Sequence, residues 1–156
     1  MTKWGYSITD IDPDKTVKAS GRELRVSHKH AREVCYTING MKLDRAKDYL
    51  KQVVQKRKAV PFRRYNKHVP HRHGLEKGFA GRFPVKTASQ ILRVIEGAEA
   101  NAEYKGLDMD NLKIVHASAY PGMKVKRFTP RAFGRSSPRF NTLVHVEIVL
   151  EEMEGN

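Results

Sequence analysis

The chain has 156 residues, a single cysteine and a formal net charge of +13 at pH 7. That length supports one domain with a real core, and the lone Cys35 excludes an internal disulfide framework and a multi-cysteine zinc site. A charge balance this basic points to a polyanionic partner: RNA, DNA or an anionic membrane surface.

In chain order, Trp4, Tyr6 and Ile8 alternate with polar residues, and Asp12-Pro13-Asp14 marks a turn. Lys18 to Val26 reads as a short strand. Ser27 stands where a helix N-cap belongs, with a hydroxyl able to accept from orphan backbone N–H groups. Ala31, Val34, Cys35 and Ile38 then form one apolar stripe at helical spacing, ended by Asn39-Gly40. A second helix begins at Leu43-Asp44 and buries Leu43, Ala46, Leu50, Val53 and Val54. Lys56, Arg57 and Lys58 read as its cationic last turn. Ala59 to Phe83 is a long loop, dense in Arg, Lys and His, in which Glu76 is the one acid. Pro84 opens a third helix, Ala88, Ile91, Leu92, Ile95, Ala98 and Ala102 give its apolar face, and Gly106 ends it.

The remainder reads as a long β-hairpin. From Asn111 to Val146 there is no Asp or Glu, while Lys113, Lys124, Lys126, Arg127, Arg131, Arg135 and Arg139 are basic. Leu112 to Tyr120 is the outgoing strand. On the return strand Val144, Val146, Ile148 and Leu150 alternate with His145, Glu147 and Glu151, the pattern of a half-buried antiparallel strand. At about 3.3 Å per residue, an arm from Leu112 to Pro130 reaches roughly 60 Å, well beyond a globule of this size. The acidic tail from Glu151 is expected to fray. The fold class is therefore α+β: three helices on one face of a small antiparallel three-stranded sheet, with a long protruding β-hairpin. The chain reads as a single domain, 1–156. Its globular part is 1–122 and 140–156, the basic loop is 60–83, and the irregular hairpin tip is 123–139.

Catalysis finds little support. His68, His71 and His73 cluster in the loop, but cationic neighbours oppose a dication and no cysteine is near, so they read as polar stacking side chains. His116 and His145 could face each other across the hairpin, yet no nucleophile or carboxylate pair accompanies them. His28 and His30 in a helix's first turn suggest capping or phosphate contact. Cys35 reads as a small core residue. No phosphate-cradling glycine loop and no dinucleotide fingerprint is present. The expectation is a non-enzyme without cofactor or metal.

Nucleic-acid binding is better supported. In the loop, Arg63, Arg64, Lys67 and Arg72 interleave with Phe62, Tyr65 and Phe79. In the tip, Lys124, Lys126, Arg127, Arg131, Arg135 and Arg139 interleave with Phe128, Phe133 and Phe140. Cations neutralise phosphates and rings stack on unpaired bases. Three phenylalanines on a free arm are an aggregation liability unless RNA covers them. An architectural DNA-binding protein with a basic β-ribbon arm is the alternative. A metal-dependent enzyme using the loop histidines is a third reading.

The stretch Met123-Lys124-Val125-Lys126-Arg127-Phe128-Thr129-Pro130-Arg131-Ala132-Phe133-Gly134-Arg135-Ser136 resembles the hairpin signature of the universal large-subunit ribosomal protein family numbered twenty-two. The helices Ser27 to Gly40 and Pro84 to Gly106 and the closing strand also fall where that family has them. The His- and Gly-rich loop resembles the archaeal and eukaryotic branch, called seventeen in eukaryotic nomenclature. The resemblance implies a structural constituent of the large subunit that binds ribosomal RNA, supports assembly and lines the nascent-peptide exit tunnel. It places Arg127, Arg131, Ala132, Gly134, Arg135 and Ser136 nearest the lumen. The implied partners are large-subunit ribosomal RNA, neighbouring ribosomal proteins and the nascent peptide. A membrane and a second copy of the chain are not among them. The expected location is the cytoplasm, since no apolar run of signal-peptide or membrane-span length appears.

Overall fold

The computed structural model describes residues 5–75 and 78–153; Trp4, Glu76 and the last three residues lie outside them. The elements are β1 (Thr16–Leu24), α1 (His28–Ile38), α2 (Leu43–Val54), β2 (Val60–Pro61), β3 (Gly81–Arg82), α3 (Val85–Lys105), β4 (Leu112–Pro130) and β5 (Ser136–Glu152). A single 3-10 turn, Met109–Asn111, leads into β4. The main sheet has the order β1-β5-β4, antiparallel throughout, and β2 pairs with β3 in a separate two-stranded ladder. The α+β architecture expected from the sequence is present, but β4 runs on to Pro130 instead of giving way to an irregular tip after Tyr120.

One core joins the helices to the sheet. Ala31, Val34 and Ile38 of α1, Leu50 and Val53 of α2, and Ile91 and Ile95 of α3 pack with Val144, Val146, Ile148 and Leu150. Each of the Val, Leu and Ile side chains, fully buried, contributes about 1.5–3 kcal/mol through lost contact with water. Gly21 lets β1 approach α3 closely, because a Cβ there would lie 2.7 Å from Val94 Cγ2.

Several local expectations change. β1 starts two residues earlier and ends two residues earlier than expected. Ser27 is the N-cap of α1, but its hydroxyl makes no capping bond. Pro84 sits at the N-cap of α3, one position before the first helical residue. Helix α2 ends at Val54, so Lys56 to Lys58 lie beyond its last turn. The cause is a Schellman closure without glycine. Lys56 takes φ +60°, its N–H donates to the Val53 carbonyl, and Arg57 N–H donates to Gln52 at 2.9 Å.

The return strand β5 is central rather than half-buried. From Leu143 to Leu150 every residue is buried, His145 and Glu147 included. The segment before β1 covers the second face: Ser7 donates to Glu147 through its N–H (3.1 Å) and its hydroxyl (3.0 Å), and Ser7 Oγ lies 3.0 Å from His116 Nε2. Nor do His116 and His145 face each other. A register shift after Ile114 pairs His116 with Val149 and Tyr120 with His145. Glu151 and Glu152, expected to fray, are paired within the sheet, with Thr16 and Leu112 among their partners.

His145 fixes where the ribbon leaves the sheet. Its Nδ1 accepts from the N–H of Glu23, a residue held at φ +52° in the irregular end of β1. Its other edge lies against Gly122, inside the irregularity between Pro121 and Lys124 in β4, where a Cβ would stand 2.5 Å from His145 Nε2. Gly122→Ala is therefore expected to cost about 1–3 kcal/mol by overpacking. The same change in a His145→Ala background should cost much less. Thermal unfolding of the four proteins measures this, and strict additivity would show that the ring and the glycine are not in register.

Candidate nucleic-acid interface

The described residues between 60 and 83 do not leave the domain as a free loop. The β2–β3 ladder closes their base, and Glu33 of α1 clamps the chain that follows. Its carboxylate accepts from the backbone N–H groups of Arg63 (3.0 Å), Arg64 (3.0 Å) and Tyr65 (3.1 Å), and the residue is 0% exposed. Three main-chain donors satisfy a charge that is otherwise costly to bury. Phe62 is 4% exposed and belongs to the core, so it is unavailable for stacking. Its ring meets the His30 ring edge-on at 5.2 Å. Burial, with the charge of Arg82 adding to it, lowers the His30 pKa below its ordinary value.

The clamp turns side chains outward. Arg63, Arg64, Lys67 and Arg72 are all exposed. Three of these guanidinium groups lie over rings: Arg63 over Tyr36 at 4.8 Å, Arg64 over Tyr65 at 5.8 Å, Arg72 over Phe83 at 5.3 Å. Such stacking holds a cation in place while leaving its edge donors free. His71 stacks edge-on with Phe79 at 4.8 Å, and the His68 carbonyl accepts from Arg82. Among the described residues no group of three His, Cys, Asp or Glu stands close enough to share a metal ion.

The ribbon is more regular than its sequence suggested. Beyond the irregularity at Gly122, pairing continues to Pro130 and Ser136, and residues 131–135 form the connecting turn. Arg131 N–H donates to the Arg135 carbonyl at 2.8 Å, and Phe133 and Gly134 take φ +58° and +66°. Two successive left-handed residues match the twist of the strands they join, as in hairpin turns of the primed type. Strand alternation sorts the ribbon into two faces. Lys124, Lys126 and Phe128 share one face with their partners Thr142, Phe140 and Pro138; Val125, Arg127 and Thr129 share the other with Asn141, Arg139 and Ser137.

Arg127, Arg131, Ala132, Gly134, Arg135, Ser136 and Arg139 are exposed, as are Lys124 and Lys126. Phe133 is 94% exposed and Phe128 65%. Arg127 and Arg139 are direct cross-strand partners. Like charges directly opposite destabilise a ladder unless an anion lies between or beside them.

Sequence reasoning missed Glu33, which sits within an otherwise apolar helical stripe and whose three donors follow it by some thirty residues. It also missed the coupling of His145 to Gly122. Neither has a local signature. Cys35 is buried, and burial pushes its thiol up to about 12. No described helix is long and apolar enough to cross a membrane.

Fold and surface together define a cationic α+β protein with a clamped basic loop and an antiparallel ribbon of exposed arginine and phenylalanine. The pattern of the family described as ribosomal protein L22p/L17e matches residues 19–151. Proteins named large ribosomal subunit protein uL22 are similar along nearly the whole chain. That of Methanopyrus kandleri is 56% identical over 153 residues, covering 96% of each chain. That of Methanococcus vannielii is 50% identical over 152 residues, covering 97% of this chain and 99% of its own. That of Archaeoglobus fulgidus is 49% identical over 151 residues, covering 97% of each. The chain belongs to the ribosomal protein L22p/L17e family, as the hairpin residues led one to expect.

Proposed function

We propose that this protein is a structural constituent of the large ribosomal subunit in the cytoplasm, that it binds large-subunit ribosomal RNA, and that it supports subunit assembly. It acts as one domain and one copy, without cofactor, metal or catalytic step. Arg63, Arg64, Lys67 and Arg72 of the clamped loop meet RNA beside the globule; Lys124, Lys126, Arg127, Arg131, Arg135 and Arg139 meet it along the ribbon. The tip lines the peptide exit tunnel, with Arg127, Arg131, Ala132, Gly134, Arg135 and Ser136 towards the nascent peptide. Neighbouring ribosomal proteins complete its surroundings.

The observation that carries this reading is the paired Arg127 and Arg139 on a ribbon without a carboxylate. The arrangement is unfavourable alone and favourable against phosphates. A two-stranded ribbon is also thin enough to pass between RNA segments and still present backbone to a lumen.

The test is RNA binding as a function of salt, together with co-sedimentation. Each phosphate neutralised releases counterions, so log affinity for large-subunit RNA should fall against log salt with a slope of about −0.7 to −0.9 per contact. Several contacts are expected. Affinity that stays flat from low to physiological salt, or sedimentation with chromosomal DNA in place of large subunits, would defeat the proposal.

A further inference from the structure

A cleft of about 610 Å³ lies between the start of α1, the start of α3 and the root of the ribbon. None of its lining residues is acidic, and Arg25, Lys86 and Arg127 bring positive charge to it. Both helices aim their N-termini at it, through Ser27 and His28 on one side and Lys86 and Thr87 on the other. Neither helix has an acidic residue in its first turn or a side chain capping it. This contrasts with α2, which has Asp44 in its first turn, and with the 3-10 turn, which Asp108 caps.

The backbone donors there are open. In α1 the ladder begins with Ala31 N–H on the Ser27 carbonyl. In α3 it begins with Ala88 on Pro84, while Val85 N–H turns back to Phe83. The N–H groups of Lys86 and Thr87 are thus left facing the helix end. The positive ends of two helix dipoles converge on one space.

A separate observation concerns Thr87. It is 3% exposed, yet its hydroxyl has no partner among the described hydrogen bonds. The hydroxyls of Thr16 and Thr37 both donate to a backbone carbonyl four residues back. No side-chain polar atom sealed from solvent lacks a partner, so Thr87 Oγ1 opens onto the cleft it lines. A buried hydroxyl without a partner, between two uncapped helix ends and under three cations, is an oxyanion seat.

We propose that this cleft binds a phosphate of an RNA backbone. It does so through the Lys86 and Thr87 N–H groups, the Thr87 hydroxyl and the flanking cations. The source is a phosphodiester strand rather than a free ion, because the cleft is continuous with the ribbon. Arg127 lines it and pairs with Arg139, and the half-exposed Phe140 stands at its rim to meet a ribose or base. The inference rests on the reading of the chain as a ribosomal RNA-binding protein, and adds to it a third contact at the join of ribbon and globule.

The experiment uses the full chain in two arms. Amide spectra are followed while inorganic phosphate, and separately a large-subunit ribosomal RNA transcript, is added. RNA affinity is measured against salt for the parent, Thr87→Val and Lys86→Ala. The amides of His28, Lys86 and Thr87 are expected to shift with both ligands. Thr87→Val should weaken RNA binding about tenfold at an unchanged salt slope, and Lys86→Ala should lower the slope by about 0.7–0.9. If Thr87→Val does not fold, the exposed Lys86 and the parent's spectra decide. RNA binding by the parent with no amide shift in the cleft and no loss in either variant would overturn the cleft while leaving the proposed function standing. Shifts with phosphate but none with RNA would make it a free-anion site and overturn the inference. A parent that binds no RNA at all would overturn both.

Discussion

Replacing residues 127–139 by Asn-Gly is expected to leave the domain folded, with a melting temperature close to the parent's, whereas Ile91→Asp is expected to unfold it. The excision keeps Lys126 and Phe140, which are paired in the parent, and joins them through the two-residue turn that antiparallel strands favour. The residues removed are exposed or half-exposed and none belongs to the core. Ile91, by contrast, is 0% exposed within that core. A carboxylate there has no partner, and the combined loss of apolar burial and cost of a buried charge is roughly 5 kcal/mol or more. That is comparable with the whole stability of many domains, about 5–15 kcal/mol. Thermal unfolding and co-sedimentation with large subunits separate the cases. The excised protein should still sediment with subunits through its loop and globular face, and the Ile91→Asp protein should not. Equal loss of melting temperature in both would show that the ribbon tip belongs to the fold.

Glu33→Leu should release the basic loop. Leucine fills a similar volume but accepts from none of the three N–H groups that Glu33 holds at 3.0–3.1 Å. Hydrogen bonds to a charged group contribute about 1.5–3 kcal/mol each, but the freed donors lie near the surface and will be hydrated. A net loss of about 2–4 kcal/mol is expected, lowering the melting temperature by roughly 5–15 °C. Amide exchange at Arg63, Arg64 and Tyr65 should accelerate far more than exchange in α3. Affinity for large-subunit RNA should fall as well, because Arg63 and Arg64 lose their fixed positions over Tyr36 and Tyr65. Glu33→Gln, retaining one acceptor oxygen, should fall between. A Glu33→Leu protein with the parent's exchange rates at these three amides would show that the loop is held by other contacts.

The elements with a local signal were legible in the sequence. Apolar spacing located all three helices, because a 3.6-residue period needs no information from elsewhere in the chain. The long hairpin was legible from an acid-free, basic stretch between two apolar strands, and its tip residues carried the family resemblance by themselves. The exposure of the six ribbon cations and of Phe128 and Phe133 followed, since a ribbon that outreaches its globule has nothing to bury them against.

What stayed hidden depends on which distant segments meet. His145 and Glu147 alternate with apolar residues and read as solvent-facing; Glu147 is buried where the segment containing Ser7 crosses the back of the sheet, and His145 where the end of β1 at Glu23 and the irregularity at Gly122 close on it. Phe62 reads as one of several loop aromatics, yet it is buried in the core and Tyr65 packs partly against that core, while Phe79 stays exposed. Lys56 adopts a left-handed backbone that its residue type does not advertise, because the ladder of α2 closes on it. Glu33 receives its role from three backbone donors some thirty residues away, and the cleft at Thr87 exists only where two helix ends and a ribbon root converge. Periodicity is a property of one segment, so the sequence determined the elements and the cationic arm by itself. Burial of a polar group is a property of its neighbours in space, so only the tertiary structure decided the clamp, the covered sheet face and the phosphate cleft.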